Sequence, residues 1–137
     1  MGSEMSVAAG RDRTEGRILV VDDEVDFLDT YERLLHRLGY RVVSVGSRKA
    51  GLLAVEVEPL RLVITDLRLP DGNGLDIVRA ARALASPLPV LVATVLSSQA
   101  DRHACLAAGA SAFLTKPFSA ATLGSAVRDL LRDPRCS

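Results

Sequence analysis

Short apolar runs of strand length recur along this chain, and they constrain its fold more than any other feature. The apolar residues within each run are continuous rather than alternating, which is typical of strands that are covered on both faces. A parallel sheet with helices on both sides provides such cover. The five runs span residues 18–21, 42–45, 62–64, 90–93 and 112–115.

Stretches with helical periodicity separate these runs. In the first stretch, apolar residues recur every three or four positions, and Gly39 stands where the residue after a helix belongs. Pro59 ends the second predicted helix. The residues that mark the first three helices are Val25, Leu28, Tyr31, Leu35 and Leu38, then Leu52, Leu53 and Val57, then Leu75, Val78 and Leu84.

Capping signals define the last two helices. Ser98, with Asp101 three residues later, resembles a capping box that opens the fourth helix, and Gly109 closes it. Ser119 can cap the fifth helix, which runs to Arg132. Strand and helix therefore alternate five times, and short right-handed connections then predict a doubly wound parallel α/β sheet.

The length of 137 residues suits one compact domain, which we expect to span residues 17–132. Residues 1–16 are rich in Gly, Ser, Arg and Asp and lack apolar periodicity, so we expect a flexible leader there. Residues 133–137 are expected to form a short tail, which leaves no room for an effector domain.

The charge balance and the cysteine content argue against several classes of function. Lys plus Arg number 17 and Asp plus Glu number 17, so no bulk attraction to nucleic acid or anionic lipid is expected. Two cysteines cannot form a disulfide framework. The longest uncharged run, residues 83–100, contains prolines, and no apolar segment of a secretory signal opens the chain. We therefore expect a cytoplasmic protein without a membrane span.

Three carboxylates come directly after predicted strands. Asp22 and Asp23 follow the first strand, and Asp66 follows the third. Chemistry in an open parallel sheet gathers outside the carboxyl ends of the strands, so these groups converge if the two strands are neighbours. Three like charges at close range need protons or a cation between them. A hard divalent cation with oxygen ligands, Mg²⁺ above all, meets that need.

Two further groups point to the same edge of the sheet. Thr94 ends the fourth strand and can supply a hydroxyl, and Lys116 follows the fifth and can supply a cation. A carboxylate nucleophile, a metal held by carboxylates, a hydroxyl and a lysine suit phosphoryl transfer, which depends mainly on positioning and charge neutralisation.

Four segments together resemble the receiver domain of bacterial two-component response regulators. They read ILVVDDE at residues 18–24, LVITDLRLPDGNG at 62–74, PVLVAT at 89–94 and KPF at 116–118. Each motif alone is weak, but the four stand in the right order at the right strand ends. The resemblance covers residues 17–132 and implies the flavodoxin-like (βα)5 fold, with strand order 2-1-3-4-5.

The resemblance also implies a metal site. Asp66 matches the phosphoacceptor of the family, and Asp22 and Asp23 match the acidic pair that holds the metal with it. The backbone carbonyl of Arg68 matches a further metal ligand. The implied cofactor is Mg²⁺.

Three other positions match residues that sense the phosphoryl group. Thr94 matches the hydroxyl that hydrogen-bonds it, and Lys116 matches the cation that pairs with it. Phe113 matches the aromatic switch on the fifth strand, which turns inward as Thr94 moves. The Lys116–Pro117 peptide bond is expected to be cis.

The implied function is that of a phosphorylation-controlled signalling module. A histidine kinase or a histidine phosphotransfer protein would donate the phosphoryl group to Asp66, and the face formed by helix four, strand five and helix five would change its partners. The downstream effector is not identified by the sequence, and a phosphorylation-dependent dimer is compatible with the resemblance. The protein is not expected to be an enzyme beyond its own phosphorylation and dephosphorylation.

Other functions stay open. One alternative is a dehalogenase-like phosphatase. Such an enzyme usually carries a second Asp two residues after its nucleophile, where this chain has Arg68. It also needs a cap domain, for which a chain of 137 residues is too short. A receiver-like scaffold that never accepts phosphate is a further alternative. The chain is otherwise a stand-alone receiver or a fragment of a DNA-binding regulator or hybrid kinase.

The sequence departs from the family pattern beside the predicted site. Val95 follows Thr94 where the family usually has Ala or Gly, so we expect its β-branched side chain to crowd the phosphoryl pocket. Arg68 and Leu96 stand two residues after Asp66 and Thr94, and neither offers an obvious way to hold an attacking water. Dephosphorylation is therefore expected to be slow to moderate.

Overall fold

The computed structural model describes residues 16–95 and 98–132 and contains a five-stranded parallel sheet. The strand order is β2-β1-β3-β4-β5, so the expected order is confirmed. Except for Gly16, the predicted leader lies outside the described residues, as do Leu96 and the predicted tail. The strands are β1 (Arg17–Val21), β2 (Val42–Val45), β3 (Leu60–Thr65), β4 (Val90–Thr94) and β5 (Ala112–Thr115).

Five helices in the described part of the chain cover both faces of the sheet. Helices α1 and α5 pack on one face through Tyr31, Leu35, Leu123 and Val127. The other three helices pack on the opposite face. No described helix combines the length and apolarity needed to cross a bilayer. The helices are α1 (Val25–Arg37), α2 (Arg48–Val57), α3 (Leu75–Arg82), α4 (Gln99–Ala108) and α5 (Ala120–Arg132).

The central strands explain the continuous apolar runs. Successive residues of a strand point to opposite faces, so Ile18 and Val20 contact the layer of α1 and α5, while Leu19 and Val21 contact the other layer. All four side chains are buried. Because helices cover both faces of these strands, every position in the run must be apolar.

Helix α2 faces the sheet differently from the prediction. Leu53 and Val57, which were expected to mark its apolar face, are 58% and 64% exposed. The helix instead packs through Ala54, Val55 and Gly51, where an added Cβ would lie 2.8 Å from Ile77 Cδ1. Small residues let α2 approach its neighbours closely, so the larger apolar residues are left outside.

Two further expectations about the helix faces are also wrong. Val25, the first residue of α1, is 75% exposed. Leu84 lies beyond α3, which ends at Arg82. The capping predictions are confirmed, since Ser98 and Asp101 form the capping box of α4 and Gly109 ends it with φ 108°.

A two-stranded hairpin that the sequence analysis did not predict follows β3. Residues Arg68–Leu69 pair antiparallel with Gly72–Asn73. At its turn, the Asp71 carboxylate accepts hydrogen bonds from the backbone N–H groups of Arg48 (2.7 Å) and Lys49 (2.9 Å), which are unpaired donors of the first turn of α2. These two bonds, that of Lys49 foremost, lower the pKa of Asp71. The hairpin therefore holds the loop after Asp66 against α2.

Candidate functional site

Asp22, Asp23 and Asp66 lie together at the carboxyl edge of the sheet. Strands β1 and β3 are neighbours, and Val21 is paired with Thr65, so the residues that follow the two strands lie side by side. One carboxylate oxygen from each aspartate lies within 4.8 Å of the others. Asp22 is buried, Asp66 is partly buried and Asp23 is exposed, so the cluster opens from the core to the surface. The expected convergence of the three carboxylates is confirmed.

Lys116 brings a buried positive charge into this cluster. It follows β5, two strands away from β3, and its long side chain spans the end of β4. Its Nζ atom donates hydrogen bonds to Asp22 Oδ2 and, at 2.9 Å, to Asp66 Oδ2. The Lys116–Pro117 peptide bond is cis, as expected. A lysine is rarely buried without paired charges, and here two carboxylates provide them.

The charge of the cluster favours a divalent cation. Three carboxylates and one ammonium group leave a formal charge of −2 when all are ionised, in a site built from oxygen ligands. Burial raises the pKa of Asp22, although hydrogen bonds from Lys116 and from the N–H of Glu24 oppose that effect. Burial makes the ionised form of Asp22 unfavourable, and a bound cation would offset that desolvation cost. The residues therefore fit a hard metal ion.

Both carboxylate oxygens of Asp66 accept hydrogen bonds, while the side chain stays partly exposed. Its side chain is 11% exposed, compared with 1% for Asp22 and Lys116. Asp66 Oδ1 accepts a hydrogen bond of 3.2 Å from the backbone N–H of Arg68. A fixed and accessible carboxylate of this kind can act as a nucleophile.

Gly74 allows the loop to close over the phosphoacceptor position. A Cβ at Gly74 would lie 2.0 Å from the backbone carbonyl oxygen of Asp66, a distance that no real side chain tolerates. The N–H of Gly74 donates to the carbonyl of Leu67 at 2.7 Å, which fixes this close approach. The role of Gly74 depends on a contact that only the folded loop creates.

Aromatic side chains form the wall of the site on the α1 side, which sequence reasoning missed. The Nζ atom of Lys116 lies 4.1 Å from the centroid of the Phe27 ring. Phe118 packs against Phe27 and Tyr31, with ring centroids 6.4 and 5.5 Å apart. Burial, with the charges of Asp22 and Asp66, raises the pKa of Tyr31, so it stays neutral. The sequence shows that these residues are aromatic but not that one of them lies against a lysine.

Thr94 and Phe113 lie on β4 and β5. Thr94 is buried at the end of β4, between the strand ends that carry Asp66 and Lys116. Phe113 is paired with Val92, and Thr94 with Thr115, so Thr94 and Phe113 point to the same face of the sheet. The guanidinium of Arg102 in α4 lies 4.8 Å from the Phe113 ring centroid. This placement is compatible with the predicted switch, which stays a prediction.

Val95 does not pack in the core. Its side chain is 49% exposed directly after β4. The structure therefore leaves it at the surface beside Thr94, and the expected crowding of the phosphoryl pocket stays a prediction. The backbone carbonyl of Arg68 likewise stays a predicted metal ligand.

The chain is similar in sequence to known proteins. The family described as response regulator receiver domain matches residues 18–128. The transcriptional regulatory protein PrrA of Mycobacterium bovis is 41% identical over 120 residues, which cover 87% of this chain and 51% of that protein. A probable transcriptional regulatory protein of Picosynechococcus sp. is 39% identical over 126 residues, which cover 87% and 50%. The chain thus spans about half the length of these curated relatives.

Solved structures show the same fold. A CheY-like response regulator receiver domain protein from Methanospirillum hungatei is 30% identical, with a TM-score of 0.81 over 85% of this chain and 94% of that chain. The receiver domain of the sensor histidine kinase PA1611 from Pseudomonas aeruginosa has a magnesium ion coordinated in its active site cleft. It is 30% identical, with a TM-score of 0.78 over 86% of this chain and 98% of that chain.

The family match includes the whole sheet except the first residue of β1, together with the three aspartates and the lysine. The fold, the position of the acidic cluster and the relatives agree. The chain therefore belongs to the response regulator receiver domain family of two-component signalling.

Proposed function

We propose that this chain accepts a phosphoryl group on Asp66 from the phosphohistidine of a histidine kinase or a histidine phosphotransfer protein. The observation that carries the proposal is the buried ammonium of Lys116, which bonds both Asp22 and Asp66. A lysine that serves only to pair buried charge does not require a third, exposed carboxylate beside it, whereas a phosphoryl site does. Asp23 provides that carboxylate.

The transfer needs little covalent chemistry from the protein. A carboxylate oxygen of Asp66 forms a bond to phosphorus as the bond from phosphorus to the histidine nitrogen breaks, and the imidazole leaves. Lys116 holds Asp66 in place and neutralises charge that develops on the phosphoryl oxygens. The backbone N–H of Arg68 orients the same carboxylate.

Asp22, Asp23 and Asp66 would hold Mg²⁺, and the bound ion supplies charge neutralisation for the phosphoryl group. The carbonyl of Arg68 is our proposed fourth protein ligand. The PA1611 receiver domain, whose structure contains magnesium in its cleft, supports this choice of ion. The net negative charge of the cluster supports it independently.

Phosphorylation would be transmitted through Thr94 and Phe113. The hydroxyl of Thr94 moves toward the phosphoryl group, and Phe113 turns into the space that it leaves. The partners of the face formed by α4, β5 and α5 then change. Thr94 and Phe113 point to the same face of the sheet, which supports the proposed coupling between them. A dimer that forms on this face after phosphorylation is compatible with the scheme.

We further propose that the output is control of transcription by a longer protein. PrrA is named a transcriptional regulatory protein, and this chain covers about half of it. Determining the full gene product tests this reading. A DNA-binding segment beside the receiver would support it, whereas kinase domains or a gene that encodes the receiver alone would contradict it.

Incubation with acetyl phosphate and Mg²⁺, followed by intact mass measurement, tests the central proposal. We expect one added phosphoryl group, none in Asp66→Asn, and unchanged labelling in Asp29→Asn, which changes an exposed aspartate of α1. Persistent labelling of Asp66→Asn would assign the phosphoryl group to another residue. An unlabelled wild-type protein would favour the scaffold that never accepts phosphate.

A further inference from the structure

Arg68 connects the phosphoacceptor loop to helix α4. Its backbone N–H contacts Asp66, while its guanidinium Nη2 lies 3.2 Å from Asp101 Oδ2. Asp101 is in the first turn of α4, 33 residues further along the chain. One residue therefore contacts the site through its backbone and a separate helix through its side chain.

Asp101 also supports the start of α4. Its carboxylate accepts a hydrogen bond from the N–H of Ser98 (3.2 Å), and its own N–H donates to Ser98 Oγ (3.0 Å). The next residue, Arg102, lies over the ring of Phe113 in β5. The first turn of α4 is thus tied at adjacent positions to the phosphoacceptor loop and to the proposed switch residue.

The ion pair between Arg68 and Asp101 can be exchanged for a stronger one. Their side chains are 64% and 25% exposed, and exposed ion pairs of this kind are weak because water screens them. A phosphoryl group can bond the fork of a guanidinium as a carboxylate does, but it brings a charge of about −2 and three acceptor oxygens. That group would stand on Asp66, two residues before Arg68 in the chain.

We propose that the Arg68 guanidinium exchanges partners, bonding Asp101 before phosphorylation and the phosphoryl group on Asp66 after it. This inference rests on the proposed function of Asp66. Before phosphorylation, Asp101 holds the arginine away from the phosphoryl position. After phosphorylation, the first turn of α4 loses its bond to the loop and keeps only its own capping box.

Labelling rates with acetyl phosphate and Mg²⁺ test the competition between the two partners. We expect Arg68→Ala to slow labelling about threefold and Asp101→Asn to speed it about threefold, which corresponds to about 0.6 kcal/mol each. An asparagine at position 101 can still accept the hydrogen bond from Ser98. The double variant should label at the rate of Arg68→Ala, because Asp101 acts only through the arginine.

The double variant separates this mechanism from two simpler ones. If the pair only stabilised α4, both single variants would shift labelling in the same direction. If the negative charge of Asp101 only repelled the phosphodonor, Asp101→Asn would speed labelling equally with and without Arg68. Either result would overturn the inference. Arg132→Ala, which removes the ion pair with Asp129 in α5, is the matched control and should leave the rate unchanged.

Amide hydrogen exchange of residues 98–105 tests the structural consequence. We expect phosphorylation of the wild-type protein to speed exchange in this segment about threefold, and Asp101→Asn to exchange as fast before phosphorylation as the labelled wild type does. A labelled wild-type protein with unchanged exchange in α4 would overturn this inference alone. A wild-type protein that takes up no phosphoryl group would overturn the proposed function as well.

Discussion

The Nζ atom of Lys116 lies 4.1 Å from the centroid of the Phe27 ring, while the same atom bonds the carboxylates of Asp22 and Asp66. The negative face of the ring therefore joins the two carboxylates in favouring the charge of the ammonium. Phe27 lies in the first turn of helix α1, four residues after Asp23. The helix that follows the acids thus helps to position the lysine that pairs with them.

Replacement of Phe27 tests this contact. Phe27→Leu removes the aromatic face and should weaken the placement of Lys116 by about 1 kcal/mol, which slows labelling of Asp66 about fivefold. Phe27→Tyr keeps the face and should label at nearly the wild-type rate. Acetyl phosphate labelling followed by intact mass measures both rates. Equal rates for Leu and Tyr would show that the ring serves only as packing.

Asp23→Asn should weaken the binding of Mg²⁺ about tenfold, because it removes one of three carboxylates from the cluster. The metal-free variant should be as stable as the wild type or more so, since like charges repel one another there. Calorimetric titration and urea unfolding measure the two quantities. An unchanged affinity for Mg²⁺ would exclude Asp23 as a ligand.

Gly74→Ala should destabilise the protein by about 3 kcal/mol, because the new Cβ would overlap the carbonyl of Asp66. The backbone of Gly74, at φ −65° and ψ −14°, suits any residue, so the loss would come from this contact alone. Gly39→Ala is the matched control, since φ is +94° there but nothing lies within 4 Å. It should lose about 1–2 kcal/mol from backbone strain. Urea unfolding compares the two, and equal losses would contradict the predicted overlap.

Asp71→Asn should destabilise the protein at pH 7 and do so less at pH 3. Hydrogen bonds from the N–H groups of Lys49 and Arg48 hold the pKa of Asp71 below its ordinary value of 3.8, so the folded state favours the ionised form. This stabilisation is present above the pKa of the unfolded chain and is lost as the pH falls through that of the folded state. Unfolding free energies at the two pH values measure the change.

Ser47→Ala is the control for the pH effect, because Ser47 also caps α2, accepting from the N–H of Ala50 at 3.1 Å, but its hydroxyl does not titrate. This variant should lose about 1 kcal/mol at both pH values. If Asp71→Asn showed the same loss at pH 3 as at pH 7, the carboxylate charge would have no part in capping α2.

Val95→Ala should raise both the rate of labelling by acetyl phosphate and the rate of dephosphorylation several-fold. Removal of two methyl groups beside Thr94 opens the path of small molecules to Asp66, and an effect of about 1 kcal/mol on each barrier corresponds to that change. Because Val95 is 49% exposed, unfolding free energy should change by less than about 0.5 kcal/mol. Unchanged kinetics would show that Val95 points away from the phosphoryl site.

The sequence by itself determined the alternation of strands and helices and the edge of the sheet where the acids converge. Continuous apolar runs such as residues 90–93 report cover on both faces, which is a local property of each strand. The position of Asp22 and Asp66 after two of these runs then placed both carboxylates at the same edge. The order of the strands followed from the resemblance of four motifs to a known family, and the sheet confirms it.

Only the tertiary structure decided which face each helix presents and which distant side chains meet. Leu53 was expected inside and is exposed, because α2 packs through Gly51, Ala54 and Val55 instead. The contacts of Lys116 with Phe27 and of Arg68 with Asp101 join segments that are far apart in the chain. Such contacts depend on how each helix is rotated and set against the sheet. A local hydrophobic pattern predicts that a residue is buried, but it does not predict which residue packs against it.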